Sequence, residues 1–131
     1  MEAAMRRQSE RKLGDLELQI LNVLWERGPS TVRQVLEALT VEPKPTYMTV
    51  LIMMRLMHEK DYLTREEERR AHVYQVRLRE RSVKRGLVRD FVRDAFRGSP
   101  EALVVRLLDD PSLTEEELTR IRELLDGKRE R

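Results

Sequence analysis

Residues 46–76 read TYMTVLIMMRLMHEKDYLTREEERRAHVYQV, and their pattern decides the fold. Val50, Met53, Met54 and Met57 recur at the spacing of one helical face. Thr46 or Pro45 opens this helix, which runs through about Lys60. Asp61 is a turn residue before Tyr62-Leu63-Thr64, a short strand. Residues 65–70, Arg-Glu-Glu-Glu-Arg-Arg, read as a hairpin tip, and Ala71-His72-Val73-Tyr74-Gln75-Val76 alternates as a second strand. A helix feeding a β-hairpin is the skeleton of a winged helix, a common way for a small protein to grip duplex DNA.

The flanking sequence supplies the rest of such a domain. Leu16, Ile20, Leu21 and Leu24 lie at helical spacing over about 15–27, and Gly28-Pro29 ends that helix. Ser30 is the expected N-cap of a short second helix with Val32, Val35, Leu36 and Leu39 on its buried face. Glu42-Pro43-Lys44-Pro45 is a stiff turn, since each Pro fixes its own φ and pushes its predecessor from the α region. Residues 1–12 are polar and expected to fray.

Beyond Arg77 the period is helical again. Val83, Leu87, Val88, Phe91, Val92, Ala95 and Phe96 share a face of a helix ending at Gly98. Ser99-Pro100 starts another, with Leu103, Val104, Leu107 and Leu108 along it, and Asp110-Pro111 breaks it. Thr114 and Glu117 form a capping box for a last helix with Leu118, Ile121, Leu124 and Leu125, stopped at Gly127. The expected architecture is mainly α with a small β-hairpin wing. A winged helix-turn-helix domain over 13–77 precedes a three-helix dimerisation domain over 78–127. Three short helices bury little alone, so their core would be shared with a second copy.

Composition narrows the function. The 131 residues are 40% apolar and 38% charged, with no cysteine. That excludes a disulfide framework, a cysteine-based zinc site and a cysteine nucleophile. No apolar run approaches a membrane span and the N-terminus is charged, so a soluble cytoplasmic protein without membrane insertion is expected. Residues 79–97 carry seven bases against three acids, and 99–131 nine acids against six bases. The basic stretch is either a phosphate-facing surface or a solvated helix face.

Catalysis has no foothold. His58 and His72 lack a partner constellation, and Asp109-Asp110 reads as a helix end entering a turn. Glu115-Glu116-Glu117 complements a helix N-terminus, and no glycine-rich phosphate loop occurs. No enzyme, metal or cofactor is expected. The outward face of the third helix is the better site. Tyr47, Met48, Thr49, Leu51, Ile52 and Arg55 would enter the groove, with apolar side chains touching thymine methyls. Lys44, Arg65, Arg69 and Arg70 would meet phosphates. The apolar members of that face fit core or partner contacts as well. The tip's three Arg and three Glu cancel, so it is no electrostatic magnet.

The chain resembles the penicillinase-repressor family of bacterial regulators over roughly residues 13–127. That family includes the methicillin-resistance and copper-responsive repressors. Leu13-Gly14-Asp15-Leu16-Glu17 through Leu24-Trp25 is similar to its opening helix, and Gly28-Pro29-Ser30-Thr31-Val32-Arg33 to the start of its second. The pattern T-V-x-T-x-L-x-R-L-x-x-K-G-x-L overlays Thr49 to Leu63, with Thr49, Val50, Lys60 and Leu63 matching, and Tyr47 matches just before it. Thr64-Arg65, Arg70 and Tyr74 match its wing. Ile52 replaces Thr, Leu56 replaces Arg, Asp61 replaces Gly, and Arg69 replaces the wing Gly.

The resemblance implies a homodimeric winged-helix repressor on palindromic double-stranded operator DNA. Better-known members are released by a membrane sensor protease that cuts an Asn-Phe bond. The matching pair here is Arg106-Leu107. The copper-responsive branch senses through C-terminal cysteines, which this chain lacks. The expected shared core is Leu87, Phe91, Phe96, Leu103, Leu107, Leu118 and Ile121. The alternative is a winged-helix protein-interaction module without strong DNA binding, favoured by the apolar outer face. A small hydrolase is a distant third.

Overall fold

The computed structural model describes residues 13–129, so the polar segment 1–12 lies outside the described residues. In chain order the elements are α1 (Asp15–Arg27), α2 (Val32–Ala38), α3 (Tyr47–Glu59), β1 (Leu63–Glu68), β2 (Ala71–Val76), α4 (Glu80–Phe96), α5 (Pro100–Leu108) and α6 (Glu115–Arg129). The chain forms two compact units that divide at Gly86, inside α4.

The N-terminal unit has a closed core. Ile20, Leu21 and Leu24 of α1 meet Val35 of α2, Val50, Met54 and Met57 of α3, and Tyr62, Leu63 and Tyr74 of the hairpin, all 0–2% exposed. These residues are the inward stripes that the helical and strand periods require. Leu78 and Val83 are buried too, so this core reaches into the first turns of α4. Trp25 Nε1 donates to the Leu78 carbonyl at 3.0 Å, and Lys84 lies over the Trp25 ring at 5.5 Å.

Two local expectations need correction. Ser30 is not the cap of α2. Its N–H donates to the Tyr74 carbonyl and its carbonyl accepts from the Tyr74 N–H, so it bridges to β2. Thr31 caps instead: its hydroxyl accepts from the Gln34 N–H, while the Gln34 side chain accepts from the Thr31 N–H. The hairpin tip is also shorter than the charge run suggested. β1 runs to Glu68, which pairs with Ala71, leaving Arg69 and Arg70 as a two-residue turn. Charged side chains do not break a ribbon whose outer strand is solvated, because register is held by the base pairs such as Leu63 with Val76.

Both turn arginines have positive φ, 48° at Arg69 and 71° at Arg70. That is the two-residue hairpin turn that matches strand twist and ordinarily uses Asn-Gly. Asp61 also lies at φ 66°. It follows the Lys60 cap in a Schellman-type ending, with Tyr62 N–H donating to the Met57 carbonyl and Asp61 N–H to the His58 carbonyl. Thus two of the positions where the chain departs from a family glycine still carry the glycine conformation. Arg69→Gly should therefore stabilise the domain by about 1 kcal/mol, the left-handed penalty less the added chain entropy. Urea unfolding checks this; an unchanged or lower midpoint would refute a strained turn.

The C-terminal unit is open on its own. Ser99 caps α5, its Oγ accepting from the Ala102 N–H, with Pro100 in the first turn. The Thr114 hydroxyl accepts from the Glu117 N–H, and the Glu117 carboxylate accepts from the Thr114 N–H. That last bond, followed by the Thr114 hydroxyl bond, holds the Glu117 carboxyl below its ordinary range. Its support for α6 is present near neutral pH and lost as pH falls through the lowered value. Gly127 does not stop α6, which continues to Arg129. Neither α5 nor α6 has a buried residue, while Val104, Val105, Leu107, Leu108, Leu124 and Leu125 are exposed.

Candidate nucleic-acid interface

The start of α3 is fixed by Thr46, whose hydroxyl accepts from the Thr49 N–H and lies 2.9 Å from the Thr49 hydroxyl. The helix is then clamped along its inner face by Val50, Met54 and Met57. Its end is held to α1 by a Lys60–Glu17 ion pair at 3.2 Å, with Lys60 also over the Tyr62 ring. The opposite face must therefore point outward. It carries Tyr47, Met48, Ile52 and Leu56 at 40%, 58%, 52% and 43% exposure, with exposed Thr49 and Arg55 among them.

Beside this face is a cleft of about 450 Å³, walled by Thr31, Val32 and Arg33 of α2, Tyr47, Leu51 and Arg55 of α3, and Arg70, Ala71, His72 and Tyr74 of the wing. The Arg33 guanidinium lies over the Tyr47 ring, 5.2 Å from its centre. Three arginines from three elements thus line one cleft with no acidic side chain in its wall. Strand alternation explains why the wing glutamates do not cancel them. Cross-strand partners share a face, so Arg65, Glu67, His72 and Tyr74 lie on one side and Thr64, Glu66, Glu68 and Val73 on the other. Only one of the three glutamates shares the Tyr74 face.

Of the sequence candidates, the structure brings Tyr47, Leu51, Arg55 and Arg70 into the cleft. Met48, Thr49 and Ile52 share the exposed helix face outside it. Lys44 is exposed in the loop before α3, Arg65 is within β1, and Arg69 shares the turn with Arg70. The sequence reading missed Arg33, Thr31 and His72 as parts of this wall. In the C-terminal unit, Leu87, Phe96, Leu103, Leu118 and Ile121 are half-buried, while Phe91 and Leu107 are exposed. Phe91 and Phe96 meet edge to face at 5.6 Å. Arg106 and Leu107 lie in the last turn of α5, both exposed. Among the described residues no cluster of three acidic or histidine side chains could hold a metal, and no helix is long and apolar enough to cross a membrane.

The family described as Penicillinase repressor matches residues 13–127. The chain belongs to the penicillinase repressor family. It is 16% identical over 117 residues to the methicillin resistance regulatory protein MecI of Staphylococcus aureus strain N315, covering 89% of this chain and 95% of that protein. Against the Penicillinase repressor of Bacillus licheniformis the identity is 21% over 120 residues, covering 92% and 94%. The Transcriptional regulator BlaI of Mycobacterium tuberculosis H37Rv is 39% identical over 64 residues, 48% of this chain and 46% of that protein.

Among solved structures, a MarR-like transcription regulator from Bacillus cereus ATCC 10987 superposes with a TM-score of 0.51 at 15% identity, covering 98% and 84%. MepR, a transcription regulator of a Staphylococcus aureus multidrug efflux pump, gives 0.51 at 17%, covering 97% and 85%. These neighbours share the winged-helix fold with this penicillinase-repressor chain. Membership in a family of transcriptional repressors also accounts for a molecule whose best site is a basic, apolar helix face, not a catalytic cluster.

Proposed function

We propose that this protein is a homodimeric transcriptional repressor that binds a palindromic operator and acts in the cytoplasm. The observation that carries the reading is the outward face of α3 beside the cleft that Arg33, Arg55 and Arg70 line. In this reading α3 enters the major groove. Tyr47, Met48, Thr49, Leu51, Ile52 and Arg55 contact bases, and Lys44, Arg65, Arg69 and Arg70 contact phosphates. Exposed Met48, Ile52 and Leu56 favour methyl contacts over a row of polar hydrogen bonds. Residues 13–77 form the DNA-binding part and residues 78–127 the dimerisation part, so two copies set half-sites about one helical turn or a multiple apart. A membrane sensor protease would be a partner only if it accepted Arg106-Leu107 in place of Asn-Phe.

A mobility-shift titration at two salt concentrations, on DNA from upstream of the protein's own gene, tests this. Specific, salt-sensitive binding is expected. Arg70→Ala should weaken binding evenly across sequences and make the salt slope shallower by about 1 for each protomer bound. An unchanged slope would remove Arg70 from the phosphate contacts. The second reading, a protein-interaction module, rests on the same exposed Met48, Ile52 and Leu56. It would be favoured if no DNA were shifted at either salt.

A further inference from the structure

Three large apolar side chains stand in a row on the solvent side of α3. Met48, Ile52 and Leu56 follow one another at i, i+4 and i+8, and all three are exposed. None of them lines the cleft. The core closes on the opposite face through Val50, Met54 and Met57, so folding gives this row no reason to be apolar. Ile52 and Leu56 stand where the family pattern has Thr and Arg, so the row is a feature of this chain. The polar groups beside it are engaged. The Thr49 hydroxyl lies 2.9 Å from that of Thr46, the Tyr47 ring carries the Arg33 guanidinium, and Arg55 belongs to the cleft wall. Met48 and Ile52 occupy the first two turns of the helix, the part that meets base edges in a helix-turn-helix, and Leu56 extends the row into the third. Exposed Glu59 ends it.

We infer that this row selects a half-site carrying a short run of thymines, read by their methyl groups, and that Leu56 is a specificity-determining residue beside Met48 and Ile52. The inference rests on the repressor reading and deepens it. In the major groove thymine alone among the four bases presents a C5 methyl group, and an apolar side chain laid against it takes both out of water. Met48 to Leu56 spans about 12 Å along the helix axis. That is the length of about three to four base pairs at roughly 3.4 Å each. Thymines on the strand facing α3 therefore match the row in chemistry and in length. A cytosine or a purine there sets the same side chains against polar base edges, to which they offer no hydrogen bond.

Mobility shifts of the full chain test this on the fragment upstream of its own gene, made once with thymine and once with uracil throughout. Uracil keeps the hydrogen-bonding groups and the phosphates and lacks only the methyl. One well-covered methyl is worth roughly fourfold in affinity. Two half-sites should therefore bind uracil DNA at least roughly tenfold more weakly than thymine DNA, with an unchanged salt slope. The triple variant Met48→Ala with Ile52→Ala and Leu56→Ala should bring the two affinities within roughly twofold of each other. Leu56→Ala alone should reduce their ratio at least roughly twofold. Arg70→Ala should weaken both complexes alike and keep the ratio. The three apolar side chains are exposed, so the variants should keep the parent's thermal midpoint. Equal affinity of the parent for the two DNAs would overturn the inference, as would a ratio that survives the triple variant. A ratio unmoved by Leu56→Ala would overturn the role of Leu56. Protein that shifts neither DNA would instead refute the repressor reading.

Discussion

If residues 78–127 pair two copies as proposed, Phe91→Asp should leave a folded monomer. Phe91 is 54% exposed in the single chain and meets Phe96 edge to face. A carboxylate at such a position keeps much of its water in an isolated chain, so the fold tolerates it. Inside an apolar interface the same carboxylate would lose that water with no cation to replace it, which costs several kcal/mol. The neighbourhood makes an interface the expected environment. α5 and α6 have no fully buried residue within one chain, and Val105, Leu107, Leu108, Leu124 and Leu125 are 50–74% exposed. Helices of this length are marginal in water unless their apolar faces are covered.

Light scattering should therefore give a mass near 15.6 kDa for the variant and about twice that for the parent. Operator affinity should fall by roughly 10²–10⁴-fold, the loss of linked half-sites. Leu124→Asp, at the most exposed of these positions, gives a second trial if Phe91→Asp damages the unit's own packing. A folded dimer carrying either charge would remove that residue from the interface, and dimers from both would refute the shared core.

Much of the N-terminal unit is legible in the sequence because each helix has one buried face against one core. Val50, Met54 and Met57 show the period directly, and their structural role follows. The misassignments arise where a distant partner decides between locally equal choices. Ser30 and Thr31 are both good caps by residue type. The backbone bridge from Ser30 to Tyr74 takes Ser30 into the sheet and leaves the cap to Thr31. Arg65 through Arg70 looks like a loop because charge suggests one, but strand pairing needs only backbone groups and a turn of suitable handedness. Gly127 looks like a stop, yet a helix accepts Gly at a cost of about 1 kcal/mol when no chain reversal follows.

The candidate site is less legible for a related reason. Tyr47, Leu51, Arg55 and Arg70 belong to the helix and hairpin that define the fold. Arg33 belongs to another helix, and nothing in its local sequence marks it. Only the packing of α2 on α3 sets its guanidinium 5.2 Å from the Tyr47 ring centre. Its place at the start of the first helix of a helix-turn-helix is a usable signal, since that helix crosses the DNA backbone.

Replacing all three cleft arginines, Arg33→Ala with Arg55→Ala and Arg70→Ala, should remove a large share of the electrostatic part of operator binding and leave that of Lys44, Arg65 and Arg69. Each guanidinium that neutralises one phosphate contributes roughly −0.9 to the slope of log affinity against log salt, so the six of a bound dimer contribute roughly −5.4. Between 50 and 200 mM salt the parent dimer should then lose roughly 10³-fold more affinity than the triple variant. The fold should survive, because all three side chains are exposed and none has an acidic partner in the cleft wall. The lost Arg33–Tyr47 contact costs about 0.5–1 kcal/mol, so the thermal midpoint should move little. A base-reading role for Arg55 would show differently. Arg55→Ala alone would then relax discrimination at one operator position by about 1–3 kcal/mol while leaving the other positions unchanged. A triple variant with the parent's salt slope would place the phosphate contacts elsewhere, and the basic start of α4 would be the next surface to neutralise.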